Sequence, residues 1–212
     1  YQELTRITKS IEDGDFFTMK EFIAAIDNCK KNNSKLHILG LVSDGGVHSH
    51  IRHLYGLLEM AKRRDFEDVY IHCFLDGRDT PPASAESYIL KLQEKMNEKQ
   101  IGKIASISGR FYAMDRDKRW QRVQKCYDAL VNGQGNKAGS VVKAIEDSYQ
   151  KEVFDEFVEP TVICNGEEPI ATIGKNDSVI FFNFRPDRAR EITRTLVDPE
   201  FNEFETKKDL NL

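Results

Sequence analysis

The sequence predicts an α/β fold, an open and mostly parallel sheet with helices on both faces. The first observation is a set of short, continuous apolar runs, which suit strands buried on both sides. They are LHILGLVS (36–43), VYIHCFLD (69–76), KIASISG (103–109) and VIFFNF (179–184). The second observation is that stretches with apolar residues at helical spacing separate these runs. This alternation of strand and helix favours a layered α/β domain.

The chain opens with a helical section. Leu4, Ile7 and Ile11 recur at the spacing of one face of a helix. The segment TMKE at 18–21 has the Thr-x-x-Glu pattern of a capping box, which predicts a second helix beginning at Thr18. Both helices precede the first predicted strand.

The helices between the strands are predicted from the same periodicity. They cover residues 49–63, 84–99 and 117–131. The stretch PTVICNGEEPIATIG then breaks the rhythm, because two short β-like pieces flank the turn signal Asn165-Gly166. We therefore expect a small β-hairpin excursion near residues 158–174, followed by a peripheral segment over the last dozen residues.

Composition favours one globular domain over residues 1–212. Hydrophobic residues make up 40% of the 212, enough for a core, and no repeat or low-complexity linker interrupts the chain. Because the sequence starts at Tyr1 and opens directly into an amphipathic pattern, we expect it to be a piece of a longer protein.

Charge and cysteine usage point to a cytoplasmic protein. There is no run of ~18 apolar residues and no signal-peptide pattern, so no membrane association is expected. The net charge of -4 argues against nucleic acid as a partner. The scattered cysteines are expected to be buried free thiols in a reducing compartment. They are Cys29, Cys73, Cys126 and Cys164.

Polar residues collect where each predicted strand ends. The strands run into SDGGVHSH (43–50), DGRDTPP (76–82), SGRFYAMDRDKR (108–119) and NFRPDRAR (183–190). In open α/β sheets, ligands bind beyond the carboxyl ends of the strands. We therefore expect one crevice that gathers His48, Arg78, Arg110, Arg116, Arg185 and Arg188.

This set of side chains suits a small, multiply charged anion such as a phosphorylated carboxylic acid. A guanidinium donates bidentately to carboxylate or phosphate and stays charged at physiological pH. Asp79 could accept a hydrogen bond from a substrate hydroxyl and orient it or take its proton. Pro186 fits the first position of a following helix, whose N-terminus would add to the attraction.

Two other interpretations of these residues stay open. In HSHIRH, the residues His48, His50 and His53, with Asp44 nearby, could belong to the metal site of a metal-dependent hydrolase. No second His or Cys cluster supplies further ligands, so His50 and His53 more simply serve as ordinary helix residues. The chain could also be a stand-alone anion-binding module. His37 and His72, inside apolar runs, are expected to be hydrogen-bonded core residues.

Five motifs resemble one known family. The strings YQELTRI, LVSDGGVHSHI, FLDGRDTPP, SGRFYAMDRDKRW and FFNFRPDRAR are similar to signatures of the cofactor-independent phosphoglycerate mutases, in the family's order. The resemblance runs from Tyr1 to about Phe204. It covers only the family's inserted substrate-binding domain, on the phosphotransferase side of a two-domain monomer.

The resemblance implies a role for the residues at the strand ends. His48, Arg78, Asp79, Arg110, Arg116, Arg185 and Arg188 would contact 2-phosphoglycerate or 3-phosphoglycerate, with Asp79 as the catalytic residue. The nucleophilic serine and two Mn²⁺ ions would belong to the missing phosphatase-like domain of the same polypeptide. This chain would hold no metal or other cofactor and would be inactive alone.

Overall fold

The computed structural model describes residues 2–212 as an α/β fold built on one mixed sheet. The strands are β1 (Leu36–Leu41), β2 (Val69–Leu75), β3 (Lys103–Gly109), β4 (Asn136–Ala138), β5 (Thr161–Asn165), β6 (Glu168–Pro169) and β7 (Ser178–Phe181). Their order is β4-β5-β3-β2-β1-β7, and β6 pairs only with β5. β1 is parallel to β2 and β7, and β2 is parallel to β3. The predicted fold class is confirmed.

Helices flank this sheet. They are α1 (Glu3–Asp13), α2 (Lys20–Asn32), α3 (Ile51–Arg63), α4 (Ala85–Lys99), α5 (Arg110–Ala113), α6 (Trp120–Tyr127), α7 (Val141–Gln150) and α8 (Arg190–Val197). The four predicted strands and the helices expected at 49–63 and 84–99 are confirmed, with ends shifted by at most a few residues. The helix expected at 117–131 begins as α6 and continues as a π-helical turn over Asp128–Asn132.

The core is divided between the two faces of the sheet. Ile38 packs in the cluster that contains Ile26 of α2, Leu54 of α3 and Ile89 of α4. Its neighbour Leu39 points the other way, into the cluster with side chains of α6 and α8. This period of two along β1 matches a strand covered on both faces. The chain end contributes to the second cluster through Leu210, so the last residues pack on the core.

The predicted start of the second helix is wrong. Residues Asp15–Thr18 form a 3₁₀ turn, and α2 begins at Lys20 with Met19 at the N-cap and no side-chain cap. The Thr18 hydroxyl donates to the carbonyl oxygen of Asp15 at 2.8 Å, so it closes the preceding turn. A hydroxyl bonded to the local backbone is the usual competitor of a helix cap.

The hairpin near residues 158–174 is present, but its first strand is no excursion. β5 and β6 pair antiparallel around Gly166. β5 also lies inside the main sheet, antiparallel to β3 and parallel to β4. The strand β4 and the helix α7 were not foreseen from the sequence. α7 buries only Val141 and Ile145, which is too sparse an apolar pattern to stand out.

The amino ends of the strands carry a buried polar chain. The His37 ring bonds the His72 ring at 2.9 Å and the Asp177 carboxylate at 2.7 Å, and His72 bonds the Ser106 hydroxyl at 2.7 Å. Both histidines are fully buried. The expectation of satisfied core histidines is therefore confirmed.

Two structural findings bear on the expectations about the cysteines and about membrane spans. All four cysteines are buried and free. Over residues 2–212, none of the helices combines the length and the apolar character that crossing a bilayer requires.

Candidate functional site

The loops after β1 and β2 fold onto each other at the carboxyl edge of the sheet. The Ser43 hydroxyl donates to Asp76 Oδ2 at 2.6 Å. A Cβ on Gly45 would lie 2.9 Å from Cβ of Asp79, so this contact leaves no room for a side chain. The close approach brings the loop that carries His48 next to the loop that carries Asp79.

Asp76 joins the loops of three strands. Its Oδ1 accepts hydrogen bonds from the backbone N–H groups of Arg78 at 3.2 Å and Asp79 at 2.9 Å. The same oxygen accepts from Arg110 NH1 at 2.9 Å. Asp76 is only 2% exposed, and the hydrogen bonds offset the cost of burying its charge. Asp76 was not singled out from the sequence, although it opens the DGRD motif at a strand end.

Arg110 is fixed between two carboxylates. Its NH1 lies 2.8 Å from Asp79 Oδ2 as well as 2.9 Å from Asp76 Oδ1. Gly109 ends β3 and Arg110 begins α5, so the side chain starts at the edge of the sheet. Arg110 is only 4% exposed, so ion pairs and not solvent set the position of its guanidinium. Asp79 is thereby held in one orientation.

Arg116 and Arg185 share Asp187. Arg116 NH1 lies 2.8 Å from Asp187 Oδ2, and Arg185 Nε lies 2.9 Å from Asp187 Oδ1. Burial would raise the pKa of Asp187, but the hydrogen bond from Arg116 and the charge of Arg185 together lower it. Asp187 therefore stays ionised and partly neutralises two cations. The RPDR motif contained this residue, but the sequence did not show which cations it would pair with.

Arg188 lies among the other cations. Its NH1 donates to the backbone carbonyl of Met114 at 3.1 Å. Burial lowers the pKa of Arg188, and the positive charges of Arg116, Arg110 and Arg78 lower it further. Within residues 2–212, no carboxylate lies within ion-pair distance of Arg188. It is thus the guanidinium of this group with the most unbalanced charge.

His48 is buried and neutral at this edge. Burial, followed by the charge of Arg110, lowers its pKa to about 4, although Asp79 acts in the opposite direction. Its Nδ1 lies 3.9 Å from Asp187 Oδ1 and has no hydrogen-bond partner among the described residues. An uncharged imidazole can donate one hydrogen bond and accept another, and the described residues leave the buried Nδ1 of His48 without a hydrogen bond.

Among the arginines of this cluster that have an ion-pair partner, Arg78 is the most exposed. Its side chain is 55% exposed and its NH1 lies 3.6 Å from Glu156 Oε1. A long, solvated contact of this kind contributes little to stability. Arg78 can therefore exchange Glu156 for a ligand at small cost.

The structure thus brings the seven sequence-selected residues to one edge, while their contact with a ligand remains a prediction. The expected position of Pro186 at the start of a helix is wrong. α8 begins at Arg190, and the Ala189 N–H donates to the Pro186 carbonyl at 3.0 Å to close a preceding turn. Arg185 and Arg188 consequently lie in a loop before the helix.

The histidines of HSHIRH are not arranged as a metal site. His50 caps α3, its Nδ1 accepting from the Arg52 N–H at 3.1 Å. His53 Nε2 bonds the Thr8 hydroxyl at 3.0 Å. In the described part of the chain, no group of three or more His, Cys, Asp or Glu side chains could hold a metal ion. The prediction that His50 and His53 make ordinary hydrogen bonds is confirmed.

Two cavities of the domain lie away from the arginine cluster. One cavity of about 600 Å³ lies beside Tyr112, Lys137 and Ser148. Another of about 560 Å³ lies beside Ile7, Phe16 and Phe184. None of the seven residues lines either one. Within the cluster, Arg78, Arg116 and Arg185 are exposed, whereas His48 and Arg110 are buried.

The chain has the class of fold in which ligands bind beyond the carboxyl ends of the strands, an open α/β sheet, and its cations gather at those ends. The family described as "BPG-independent PGAM N-terminus" matches residues 7–212. The chain belongs to this family, as its motifs had indicated.

Relatives and a solved structure agree. A 2,3-bisphosphoglycerate-independent phosphoglycerate mutase of Acetivibrio thermocellus is 62% identical over 98% of this chain and 41% of its own length. The protein of the same name from Clostridium perfringens is 59% identical, with coverages of 98% and 41%. A Leishmania mexicana phosphoglycerate mutase, crystallised at low cobalt concentration, superposes with a TM-score of 0.91 at 30% identity, covering 97% of this chain and 40% of that one. The chain spans about two fifths of the curated relatives that it matches.

Proposed function

We propose that this chain binds and orients phosphoglycerate within a cofactor-independent phosphoglycerate mutase that interconverts 3-phosphoglycerate and 2-phosphoglycerate. The main supporting observation is Arg188, a half-buried guanidinium that has Arg116, Arg110 and Arg78 as neighbouring charges and no carboxylate within ion-pair distance among the described residues, although Asp187 opposes them from further away. A bound anion would balance this charge, since guanidinium groups bond carboxylate and phosphate bidentately. The substrate class follows from the names of the relatives.

Asp79 is the residue in position to handle the accepting hydroxyl. Arg110 holds its Oδ2 at 2.8 Å, and the Asp79 backbone N–H is fixed on Asp76 at 2.9 Å. The other carboxylate oxygen can accept a hydrogen bond from the glycerate hydroxyl and orient it or take its proton as the phosphoryl group arrives. His48, neutral beside it, would donate a hydrogen bond near the phosphoryl group.

The arginines would hold the glycerate while it re-orients. Arg116 and Arg185 are bridged by Asp187, and Arg78 rests on Glu156. These exposed pairs are weak, so an anion with two charged ends can replace the carboxylates as it enters. A set of several cations keeps the substrate bound when its hydroxyls exchange places.

The remaining chemistry would come from the rest of the polypeptide. Residues 2–212 offer no group of ligands for the two Mn²⁺ ions, which would lie with the nucleophilic serine in the phosphatase-like domain. That metal centre would supply electrostatic stabilisation of the transferred phosphoryl group. The arginine cluster would face this domain, and the chain alone would not turn over substrate. We place the whole enzyme in the cytoplasm as a monomer of the glycolytic and gluconeogenic route.

The test is the mutase activity of the full-length protein with Asp79→Asn. We expect kcat to fall by about 100-fold or more, because general-base catalysis contributes about that factor, with a smaller change in KM. Asp147→Asn is the matched control, since Asp147 is half-exposed on α7 and pairs only with Lys143 at 2.9 Å. Unchanged kcat in Asp79→Asn would contradict the assignment. Sustained turnover by the isolated chain would contradict the division of labour.

A further inference from the structure

Two of the arginines follow a glycine at the end of a strand, and both glycines pack against one short turn. Gly77 precedes Arg78 after β2, and Gly109 precedes Arg110 after β3. The turn is the 3₁₀ segment Asp155–Phe157, together with Val158. The function proposed above uses this turn only through Glu156, the ion-pair partner of Arg78, and gives its backbone and Asp155 no role.

The packing leaves no space for side chains at either glycine. A Cβ on Gly77 would lie 2.8 Å from Cβ of Asp155 and 3.0 Å from the Glu156 nitrogen. On Gly109 it would lie 2.7 Å from the carbonyl carbon of Glu156 and 2.8 Å from the carbonyl oxygen of Asp155. Apart from the Asp155 Cβ, which is fixed directly to the backbone, these contacts are made by backbone atoms, which cannot swing aside as the end of a flexible side chain can.

Hydrogen bonds fasten the turn to both loops. The Gly109 N–H donates to the Val158 carbonyl at 2.7 Å, and the Asp155 N–H donates to the Pro82 carbonyl at 3.1 Å. Asp155 Oδ2 accepts from the N–H groups of Ser84 at 2.9 Å and Ala85 at 2.8 Å, where α4 begins. The Tyr149 hydroxyl from α7 bonds Asp155 Oδ1. Asp155 is fully buried, so each bond holds a group that water cannot reach.

We propose that residues 155–158 are a positioning bridge that fixes the separation of Arg78 and Arg110, with Asp155 as its positioning residue. The inference rests on the proposed function and adds to it. A ligand with a charged group at each end needs its guanidinium partners at a set distance. Arg110 is locked by Asp76 and Asp79, whereas the half-exposed Arg78 side chain has only a 3.6 Å contact with Glu156 of the same turn, so its position depends on where its backbone is held.

The test uses the full-length protein and compares two anions. Gly109→Ala should lower kcat/KM for 3-phosphoglycerate by about 100-fold, because a small misplacement of binding groups costs about that factor. Competitive inhibition by inorganic phosphate, which cannot span two separated cations, should keep its inhibition constant. A general loss of stability would move both values together.

Each glycine has a matched control. Gly139→Ala adds a methyl group at a site whose nearest atom is 3.9 Å away, so it should leave the kinetics unchanged. For Gly77→Ala the control is Gly166→Ala, because the two glycines have φ of 70° and 66° but Gly166 has nothing within 4 Å. Both variants place alanine at a positive φ, so the difference in their kinetics excludes this shared backbone strain and reports the contact of Gly77 with the turn.

Asp155 carries the test if a glycine variant does not fold. Asp155→Ala should raise the KM for 3-phosphoglycerate, and Asp155→Asn should restore most of it, because an amide oxygen can still accept from Ser84 and Ala85. Wild-type kinetics in folded Gly109→Ala, or in Asp155→Ala, would overturn the bridge while leaving the proposed function intact. A wild-type enzyme that does not convert 3-phosphoglycerate would instead overturn the proposed function, and the bridge with it.

Discussion

At the scale of single residues, the sequence predicted the cationic side chains of the site but not Asp76 and Asp187, the carboxylates that pair with them. Arg78, Arg110, Arg116, Arg185 and Arg188 were selected because arginines recur in three strand-end loops of a net acidic chain, with His48 in a fourth loop. Asp76 and Asp187 were in the same motifs, but a buried hub and an exposed acid look alike in sequence. What separates them is the burial and pairing that the fold creates.

Arg188 gives the first prediction at this scale. Arg188→Ala in the full-length protein should weaken phosphoglycerate binding by about 10-fold to 100-fold, because a charge-assisted hydrogen bond contributes about 1.5–3 kcal/mol. The melting temperature should barely change, since the side chain bonds a single carbonyl at 3.1 Å. Arg194→Ala is the control, as Arg194 lies exposed on α8 and pairs with Asp198. Loss of stability with unchanged affinity would refute the assignment.

Glu191 gives a prediction about pH. Burial, together with the neighbouring Asp115, raises the pKa of Glu191 from 4.5 to about 7. A carboxyl whose pKa is raised by folding contributes stability below its unfolded pKa, and this stability is lost as pH rises from about 4.5 through 7. Glu191→Gln cannot ionise and can still accept from the Lys118 N–H, which Glu191 bonds at 2.9 Å.

Urea unfolding across this pH range is the measurement. Above pH 7 the Glu191→Gln protein should be more stable than the wild type by on the order of 1 kcal/mol. Below pH 4.5 the two proteins should coincide, because wild-type Glu191 is then protonated in both the folded and the unfolded state. A difference that stays constant with pH would show that Glu191 does not hold a proton.

At the scale of elements, the sequence predicted strands better than helix ends. The apolar runs of β1, β2 and β3 are buried on both faces and that of β7 is buried on one face and partly buried on the other, and no turn chemistry competes with them. Thr18 was misplaced because its hydroxyl had two possible backbone partners, and it closed a turn. β4 and α7 were missed because β4 has three residues and α7 buries two, so tertiary packing decides both.

We expect the amino ends of the strands to contribute stability and the carboxyl ends to bind ligand. Asp177, at the amino end, allows a test of this separation. Its carboxylate accepts from the N–H groups of Lys35 at 2.9 Å and Gly174 at 2.8 Å and bonds His37 at 2.7 Å. Asp177→Ala should lower the free energy of unfolding by about 2–4 kcal/mol, because buried donors lose their acceptor. Phosphoglycerate affinity, measured where the protein is folded, should not change.

The control for Asp177 is Asp68→Ala. Asp68 is exposed near the same end of the sheet and accepts one hydrogen bond, from the Tyr70 hydroxyl at 2.8 Å. Its loss should change stability little, as exposed pairs contribute little. If Asp177→Ala lowered phosphoglycerate affinity as much as Arg188→Ala does, the proposed separation of stability and binding between the two ends of the strands would be contradicted.

At the scale of the whole molecule, the chain packs its core on both faces of one sheet and gathers cations beyond the carboxyl ends of the strands. Sequence motifs could indicate the family and the side chains, since both are local. They could not show which loops pack together, nor what the remaining three fifths of the relatives' length provide.

The most direct test of the central claim is a titration of this chain with 3-phosphoglycerate followed by NMR, with sulfate and glycerol as controls. We predict millimolar binding, with shifts at the backbone amides of Gly45, Gly77, Gly109 and Arg188, weaker shifts with sulfate and none with glycerol. Arg188→Ala should reduce these shifts. Shifts confined to another surface, or equal shifts with sulfate and 3-phosphoglycerate, would contradict a crevice that recognises phosphoglycerate.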